Sequence, residues 1–274
     1  MDFNLPRRVE ESNKSTYGRV LNICGSDYMS GAAYLSSVAA LKIGCGYSIL
    51  CSTDRVIDSV AAKTGCVVFS PLERLAEQIE LADVVVLGCG LSTGFVATDI
   101  FERFMKCVSP DKKVIIDADG INILSKNYEL FKEKGFTNLI LTPHPKEASR
   151  LLGVETESIL SDTKAYAMRV AERYNCVAVL KTHNTTVCTN DGRLYTNTTG
   201  NNAMAKAGSG DVLSGMIAGL ISQGIGTYEA SVLGVLLHGL SGDIAKEQLT
   251  EYSVMADDLI RYIPEAIKHY SKSN

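Results

Sequence analysis

The residues with the clearest chemical potential form one short segment, Gly208-Ser209-Gly210-Asp211. Small residues let a backbone turn run close to a ligand, and the apolar run at 212–221 predicts a helix that begins at this turn. Because the N-terminus of such a helix binds anions, Gly208, Ser209 and Gly210 could hold a phosphoryl group. Asp211 would then accept the proton of an attacking hydroxyl, which indicates phosphoryl transfer. The alternative is that Asp211 only caps the helix.

This segment and the residues that follow it, Ala207 to Gly215, resemble the anion-hole signature of the ribokinase superfamily, in which the final Asp is the catalytic base. Further segments occur in the order seen in the ADP/ATP-dependent NAD(P)H-hydrate dehydratases. They are Gly31-Ala32-Ala33 with Gly44-Cys45-Gly46, Asp117-Ala118-Asp119-Gly120-Ile121-Asn122, Thr142-Pro143-His144-Pro145-Lys146-Glu147 and Lys181-Thr182-His183-Asn184-Thr185. The resemblance extends from about Val20 to Tyr262, which is nearly the whole chain.

The resemblance implies a three-layer, ribokinase-like α/β fold and a single domain over residues 1–274. It also implies ADP- or ATP-dependent dehydration of the S form of hydrated NADH or NADPH (NADHX or NADPHX). Mg²⁺ is the expected cofactor and a homotetramer the expected assembly. A dehydratase domain without a fused epimerase resembles the bacterial type that favours ADP.

The same resemblance assigns roles to individual residues. The catalytic set is Asp211 with Gly208, Ser209 and Gly210. The expected substrate contacts are Ala32, Ala33, Gly88, Gly90, Asp117, His144 and Asp211. The expected nucleotide contacts are Lys181, Thr182, His183, Asn184, Thr185, Asn201 and Gly210. Glu147 is expected to orient a hydrated Mg²⁺ ion, although a solvated carboxylate at a helix start would look the same in the sequence.

The order of the elements indicates the architecture independently of the resemblance. Short β-branched runs alternate with helical patterns from Arg19 to Leu180, which predicts a central, mainly parallel sheet with helices on both faces. Asn190-Asp191-Gly192 separates two further strands and predicts an antiparallel hairpin at one sheet edge. Residues 1–17 are polar and contain Pro6, so we expect a loose arm or a short lead-in helix there.

The candidate side chains follow the predicted strands. In an open parallel sheet, ligands bind beyond the carboxyl ends of the strands. Gly88, Asp117, His144 and Lys181 all lie at or just after such ends, so a single ligand cleft is expected. For Asp117 a purely structural role at a strand end is equally compatible with the sequence, and His144 between two prolines could be an ordinary turn residue.

Composition limits the partners and the location. Hydrophobic residues make up 46% of the 274 residues, which indicates a buried globular core. The formal net charge of −4 at pH 7 gives no electrostatic reason to expect nucleic acid or an anionic membrane as a partner. The eight cysteines are scattered without zinc-ligand spacing, which predicts free thiols in a reducing, cytoplasmic environment. No signal peptide or membrane span is expected.

Three other functions fit less well. Gly88-Cys89-Gly90-Leu91-Ser92-Thr93-Gly94 misses the dinucleotide fingerprint by one residue, which argues against a hydride-transferring Rossmann enzyme, and the chain contains no P-loop motif. An ATP-dependent kinase of a small alcohol, such as a vitamin precursor or a sugar, would use the same turn and Asp211. A nucleotide-binding regulatory protein without catalysis would not need Asp211.

Overall fold

The computed structural model describes residues 4–273. The strands are β1 Arg19–Ile23, β2 Tyr47–Ser52, β3 Val68–Pro71, β4 Val84–Leu87, β5 Lys113–Ile116, β6 Leu139–Leu141, β7 Val177–Leu180, β8 Thr186–Cys188 and β9 Leu194–Thr196. The α-helices are α1 Ser30–Ile43, α2 Asp54–Ala61, α3 Leu75–Leu81, α4 Phe95–Cys107, α5 Asp119–Lys126, α6 Tyr128–Lys134, α7 Pro145–Leu152, α8 Thr156–Ser161, α9 Thr163–Tyr174, α10 Ser209–Ser222, α11 Thr227–Gln248 and α12 Ala256–Ser273.

The strands form one nine-stranded sheet in the order β3-β2-β1-β4-β5-β6-β7-β8-β9. The pairs from β3 to β7 are parallel, whereas β7–β8 and β8–β9 are antiparallel. The order changes direction between β1 and β4, which creates a crevice where their carboxyl ends diverge. The predicted parallel sheet and the antiparallel edge hairpin are both confirmed.

Helices cover both faces of this sheet because the central strands are apolar on both sides. Val84, Val85, Val86 and Leu87 of β4 are all fully buried, and alternate residues contribute to two separate cores. One core contains α1, α10, α11 and α12, and the other contains α3, α4, α5, α7 and α9. This arrangement is the expected three-layer α/β fold.

Small shifts in element boundaries have local causes. The apolar run around β3 starts at Cys66 in the sequence, but the strand itself begins at Val68, and the Cys66 N–H donates to the Thr64 hydroxyl at 3.1 Å. The helix predicted at 212–221 is longer than its apolar run, since α10 already begins at Ser209.

The N-terminal segment contacts the body of the protein. Lys14–Tyr17 form a 3₁₀ helix at the end of the segment for which the sequence predicts a loose arm or a short lead-in helix. The guanidinium of Arg8 lies over the ring of Tyr17, 3.8 Å from its centroid, and donates to the Gly44 carbonyl. The prediction for residues 1–3 lies outside the described residues.

All eight cysteines are free; Cys66 and Cys107 are exposed and the other six are buried. Within residues 4–273, no helix has the length and apolar content needed to cross a membrane.

Candidate active site

The turn that begins α10 has the geometry that the sequence predicts. Gly208 is the N-cap of the helix and has a φ of +94°, a left-handed conformation that favours glycine. A Cβ atom at Gly208 would lie 2.6 Å from Leu35 Cδ1 and 2.9 Å from Ala256 Cβ, so the site also lacks room for a side chain. Asp211 lies in the first helical turn and does not cap it, so the capping alternative is wrong.

The same helix packs very closely against α1. A Cβ added to Gly215 would come 2.2 Å from the Ser36 carbonyl oxygen, and one at Gly219 would come 2.3 Å from Ile43 Cγ2. The helix that carries the anion turn therefore lies almost backbone to backbone on α1, which fixes the position of the turn over the sheet.

Behind the turn lies a buried ion pair. Lys181, after β7, donates from Nζ to Asp117 Oδ1 at 2.6 Å, and Asp117, after β5, is 1% exposed. Ser214 of α10 donates to the other carboxylate oxygen at 2.7 Å. Burial alone would raise the pKa of Asp117, but Lys181 and these hydrogen bonds hold that pKa below its usual value. Asp117 is therefore an ionised anchor that joins β5, β7 and α10.

Asp211 faces this anchor across a small cluster. One oxygen of Asp211, one oxygen of Asp117 and the sulfur of Cys89 lie within 4.8 Å of one another. Burial, together with the negative charge of Asp117, raises the pKa of Asp211 to about 6. A carboxylate with this pKa is ionised at neutral pH and is basic enough to remove a proton from an attacking hydroxyl.

Lys181 also reaches the anion turn. Its Nζ would lie 3.3 Å from a Cβ atom built on Gly210. Burial tends to lower the pKa of Lys181, but Asp117 and Glu147 raise it, so the ammonium group is charged. The ion pair thus places a cation beside Gly210 of the turn, where negative charge would be stabilised.

The crevice between β1 and β4 brings together the predicted small residues. Gly88 has a φ of +120°, and a Cβ there would lie 2.2 Å from the Asp117 carbonyl oxygen. Gly90 has a φ of +62° and would place a Cβ 2.6 Å from Ala32 Cβ. Ala32 is half-buried, whereas Ala33 is fully buried and packs in the core. These backbones come close together because neither glycine carries a side chain.

A cavity of about 660 Å³ opens beside the turn. Its wall includes eight predicted site residues, namely His144, residues 181–183, Thr185, Asn201, Ser209 and Gly210. Asn184 belongs to the same loop, but it does not line the cavity; its carbonyl accepts from the Thr182 hydroxyl. Asn201 is fixed by Asp243, whose Oδ1 accepts from Asn201 Nδ2 at 2.8 Å.

The remaining substrate candidates lie apart from that cavity. Ala32, Ala33, Gly88, Gly90, Asp117 and Asp211 are absent from its wall. Asp211 lies between this cavity and the β1–β4 crevice. The turn that precedes Asp211 borders the cavity, and Cys89, which lies in the same cluster as Asp211, stands between Gly88 and Gly90 of the crevice. The structure therefore separates the predicted residues into two neighbouring groups.

His144 and Glu147 interact with each other. His144 caps α7, its Nδ1 accepting from the backbone of Lys146 and Glu147, while its own N–H donates to Glu147 Oε2 at 2.8 Å. Burial and the charge of nearby Asp117 raise the pKa of Glu147 to about 7 despite the opposing charge of Lys181. His144 is thus a structural cap as well as a residue of the cavity wall.

Several functional candidates carried no clear sequence signal. His238 lies on α11, where the sequence favours a structural role, yet it lines the cavity and its Nε2 lies 3.4 Å from the Ser209 hydroxyl. Asn197, Thr199 and Lys206 also line the cavity. Position was the available clue for Lys206, since it lies five residues before Asp211.

The sheet order, the turn before α10 and the carboxylate behind it define a ribokinase-like protein. Among solved structures, a ribokinase-like superfamily protein from Enterococcus faecalis matches with a TM-score of 0.86 and 29% identity, covering 97% of this chain and 92% of the other. An ADP/ATP-dependent NAD(P)H-hydrate dehydratase from Bacillus subtilis, co-crystallised with ATP and Mg²⁺, matches with a TM-score of 0.83 and 27% identity, covering 97% and 94%.

Residues 20–265 match the family model for NAD(P)H-hydrate dehydratase, and the chain belongs to this family. It is 38% identical over 242 residues to the ADP-dependent (S)-NAD(P)H-hydrate dehydratase of Neisseria meningitidis, covering 88% of this chain and 81% of that protein. It is also 36% identical over 279 residues to a bifunctional NAD(P)H-hydrate repair enzyme of Moorella thermoacetica, covering 97% of this chain but 52% of that relative's length.

Proposed function

We propose that this protein is a lyase that dehydrates the S form of hydrated NADH or NADPH at the expense of ADP or ATP. The observation that carries the proposal is the position of Asp211, at the anion turn, with its pKa raised to about 6 by burial and by Asp117. Membership of the NAD(P)H-hydrate dehydratase family and the name of the Neisseria relative support the same reaction.

The chemistry follows from the poor leaving ability of a hydroxide. Asp211 removes the proton from the hydroxyl on C6 of the hydrated nicotinamide ring while that oxygen attacks the terminal phosphorus of the nucleotide. AMP leaves from ADP, or ADP leaves from ATP. The C6–O bond then breaks with release of phosphate, a proton leaves the neighbouring ring carbon, and the double bond of the reduced nicotinamide is restored.

We assign the two groups of site residues to the two reactants. The cavity walled by residues 181–183, Thr185, Asn201 and the turn takes the nucleotide, since amides and a lysine there can hold phosphates. The β1–β4 crevice beside Gly88, Gly90 and Ala32 takes the nicotinamide, because Cys89, between the two glycines, lies in the same cluster as Asp211. His144 contributes to the boundary between them.

The anion turn stabilises the phosphoryl group during its transfer. Gly210 lies in the first turn of α10, where backbone amides lack intrahelical partners, and the Lys181 ammonium lies beside it. Preorganised donors of this kind lower the barrier because they need no rearrangement as charge develops. Asp117 contributes by holding Lys181 and by keeping the pKa of Asp211 high.

The fit of the chain to Mg²⁺ is indirect. The cluster of Cys89, Asp117 and Asp211 does not suit this ion, because Mg²⁺ prefers oxygen ligands and Asp117 is already occupied by Lys181 and Ser214. Mg²⁺ is commonly held by substrate phosphates and water, and when bound it neutralises phosphate charge. Glu147 is the residue that we propose for the water shell, because it adjoins His144 of the cavity wall.

The test is recovery of absorbance at the reduced-nicotinamide band. Chemically hydrated NADH or NADPH is incubated with Mg²⁺ and either ADP or ATP, using wild type and Asp211→Asn. We expect recovery only with nucleotide, a loss of about 100-fold or more in the variant, and a higher half-saturating Mg²⁺ concentration for Glu147→Gln. Consumption of ATP with a small alcohol, and no absorbance recovery, would instead establish the kinase alternative.

A homotetramer and a cytoplasmic location belong to the same proposal. They rest on the family and on the free thiols of all eight cysteines. Light scattering on the purified protein measures the first, and the oxidation state of Cys66 and Cys107 in intact cells bears on the second.

A further inference from the structure

The charged side chains on the wall of the cavity are all basic. The described wall residues include two lysines, Lys181 and Lys206, and no Asp, Glu or Arg. A cavity without carboxylates is suited to an anionic ligand, because no negative group has to be neutralised or displaced when the ligand enters.

Most of the basic side chains on this wall contribute no net positive charge to it. Lys181 is paired with Asp117 at 2.6 Å, so the two groups together carry no net charge. His144 and His238 are kept in the neutral state, since burial lowers the pKa of each, that of His238 to about 4. A ligand with two or three phosphates needs additional positive charge beyond this pair.

Lys206 differs from Lys181 in having an unmatched charge. Its Nζ donates to the backbone carbonyl of Tyr252, and no Asp or Glu of residues 4–273 forms an ion pair with it. The side chain is exposed, and an ammonium group has three donors, so two stay available after the bond to Tyr252.

The backbone of Lys206 is fixed next to the anion turn. Its N–H donates to the Met204 carbonyl at 2.8 Å, and its carbonyl accepts from the Ser209 N–H at 3.4 Å. The lysine therefore projects from the segment that leads directly into the turn.

We infer that Lys206 binds the phosphate chain of the nucleotide and thereby determines the affinity of the cavity for nucleoside di- and triphosphates. This inference rests on the proposed function, because it concerns the nucleotide of that reaction. The role is one of binding: Lys206 supplies the charge that the Lys181–Asp117 pair lacks, while Asp211 and the turn perform the transfer.

The experiment is an equilibrium titration with ADP and with ATP in the presence of Mg²⁺, without the hydrated dinucleotide. Wild type is compared with Lys206→Ala, Lys206→Arg and Lys246→Ala. Lys246 is the matched control, since it is also a lysine near this cavity, where it donates to Asn202 of the wall at 2.9 Å, but its charge is matched by Glu251 at 3.3 Å. Thermal unfolding of each variant verifies that it is folded.

We expect Lys206→Ala to raise the dissociation constant of both nucleotides about threefold to tenfold, an effect typical of one exposed charge-assisted contact. Lys206→Arg and Lys246→Ala should stay within about twofold of wild type, and the effect of Lys206→Ala should shrink in high salt because exposed charges are screened. Equal affinities for wild type and a folded Lys206→Ala variant would overturn the inference and leave the proposed function intact. A wild-type protein that binds neither nucleotide would overturn both.

Discussion

Lys181 Nζ lies 2.6 Å from Asp117 Oδ1, in an ion pair whose carboxylate is 1% exposed and whose lysine side chain is 20% exposed. The two residues follow different strands, β7 and β5, so the pair also joins two strands that are not neighbours in the sheet.

Removing both members of this pair should cost less than the sum of the two single changes, Lys181→Met and Asp117→Asn. Lys181→Met leaves the Asp117 charge buried and unpaired, which we expect to lower the free energy of unfolding by about 3–5 kcal/mol. The double variant Lys181→Met/Asp117→Asn should lose less than the sum of the single changes. Urea unfolding at pH 7 measures all three. The exposed pair Lys246–Glu251 provides the comparison, since Lys246→Met should cost about 0.5 kcal/mol. Additive losses at the buried pair would contradict this expectation.

The activity should depend on the ionisation of Asp211. Its pKa is raised to about 6 by burial and by Asp117, and a general base must be deprotonated, so kcat/KM should fall about tenfold per pH unit below pH 6. Asp117→Asn removes a negative charge next to Asp211, so the fall in kcat/KM should begin at a lower pH than in wild type. The pKa of Asp211 is also influenced by Lys181, Asp119 and Cys89, which are unchanged in the Asp117→Asn variant. A pH profile identical to that of wild type would show that Asp117 does not influence the base.

Gly208 should tolerate alanine less well than Gly224, although both have nearly the same φ, +94° and +95°. Either alanine experiences a left-handed strain of about 1–2 kcal/mol. At Gly208 the new methyl group also meets Leu35 and Ala256, whereas nothing lies within 4 Å at Gly224. We therefore expect Gly208→Ala to cost a further 1–3 kcal/mol or so and to reduce turnover. Thermal unfolding and phosphate release should separate the variants, and indistinguishable behaviour would count against the close packing of the turn.

Stability should decrease with pH through Glu147. Burial raises the pKa of its carboxyl to about 7 in the folded chain, above the unfolded value of about 4.3, so the folded state binds more protons between these values. The free energy of unfolding should therefore fall as pH rises from about 4.5 to 7, by on the order of 2 kcal/mol. In Glu147→Gln the free energy of unfolding should not show the decrease that Glu147 causes. The decrease that Asp211 causes in the same pH range should persist. The comparison uses denaturant unfolding without nucleotide or Mg²⁺, and parallel curves for the two proteins would refute it.

Much of the architecture was predictable because β-branched runs such as Val84–Leu87 and the turn at Asn190-Asp191-Gly192 are local signals. The anion turn was predictable for the same reason, since its glycines and Asp211 are contiguous. The roles of His238 and Lys206 were not, because they depend on how distant elements approach each other around one cavity. The pairing of Lys181 with Asp117 also spans 64 residues and leaves no trace in the spacing of either.

The close contact of α10 with α1 through Gly215 and Gly219 restricts the routes by which ligands can enter and leave the site. The anion turn begins α10, and α1 contains Ala32, which touches Gly90 at the crevice, so both sides of the reaction centre belong to one block. The helices α1 and α10 cannot separate to admit or release a ligand without losing their closest backbone contacts. We therefore expect nucleotide and product to exchange through the more exposed part of the cavity wall, at residues 182, 183, 185, 200–202 and 204–207.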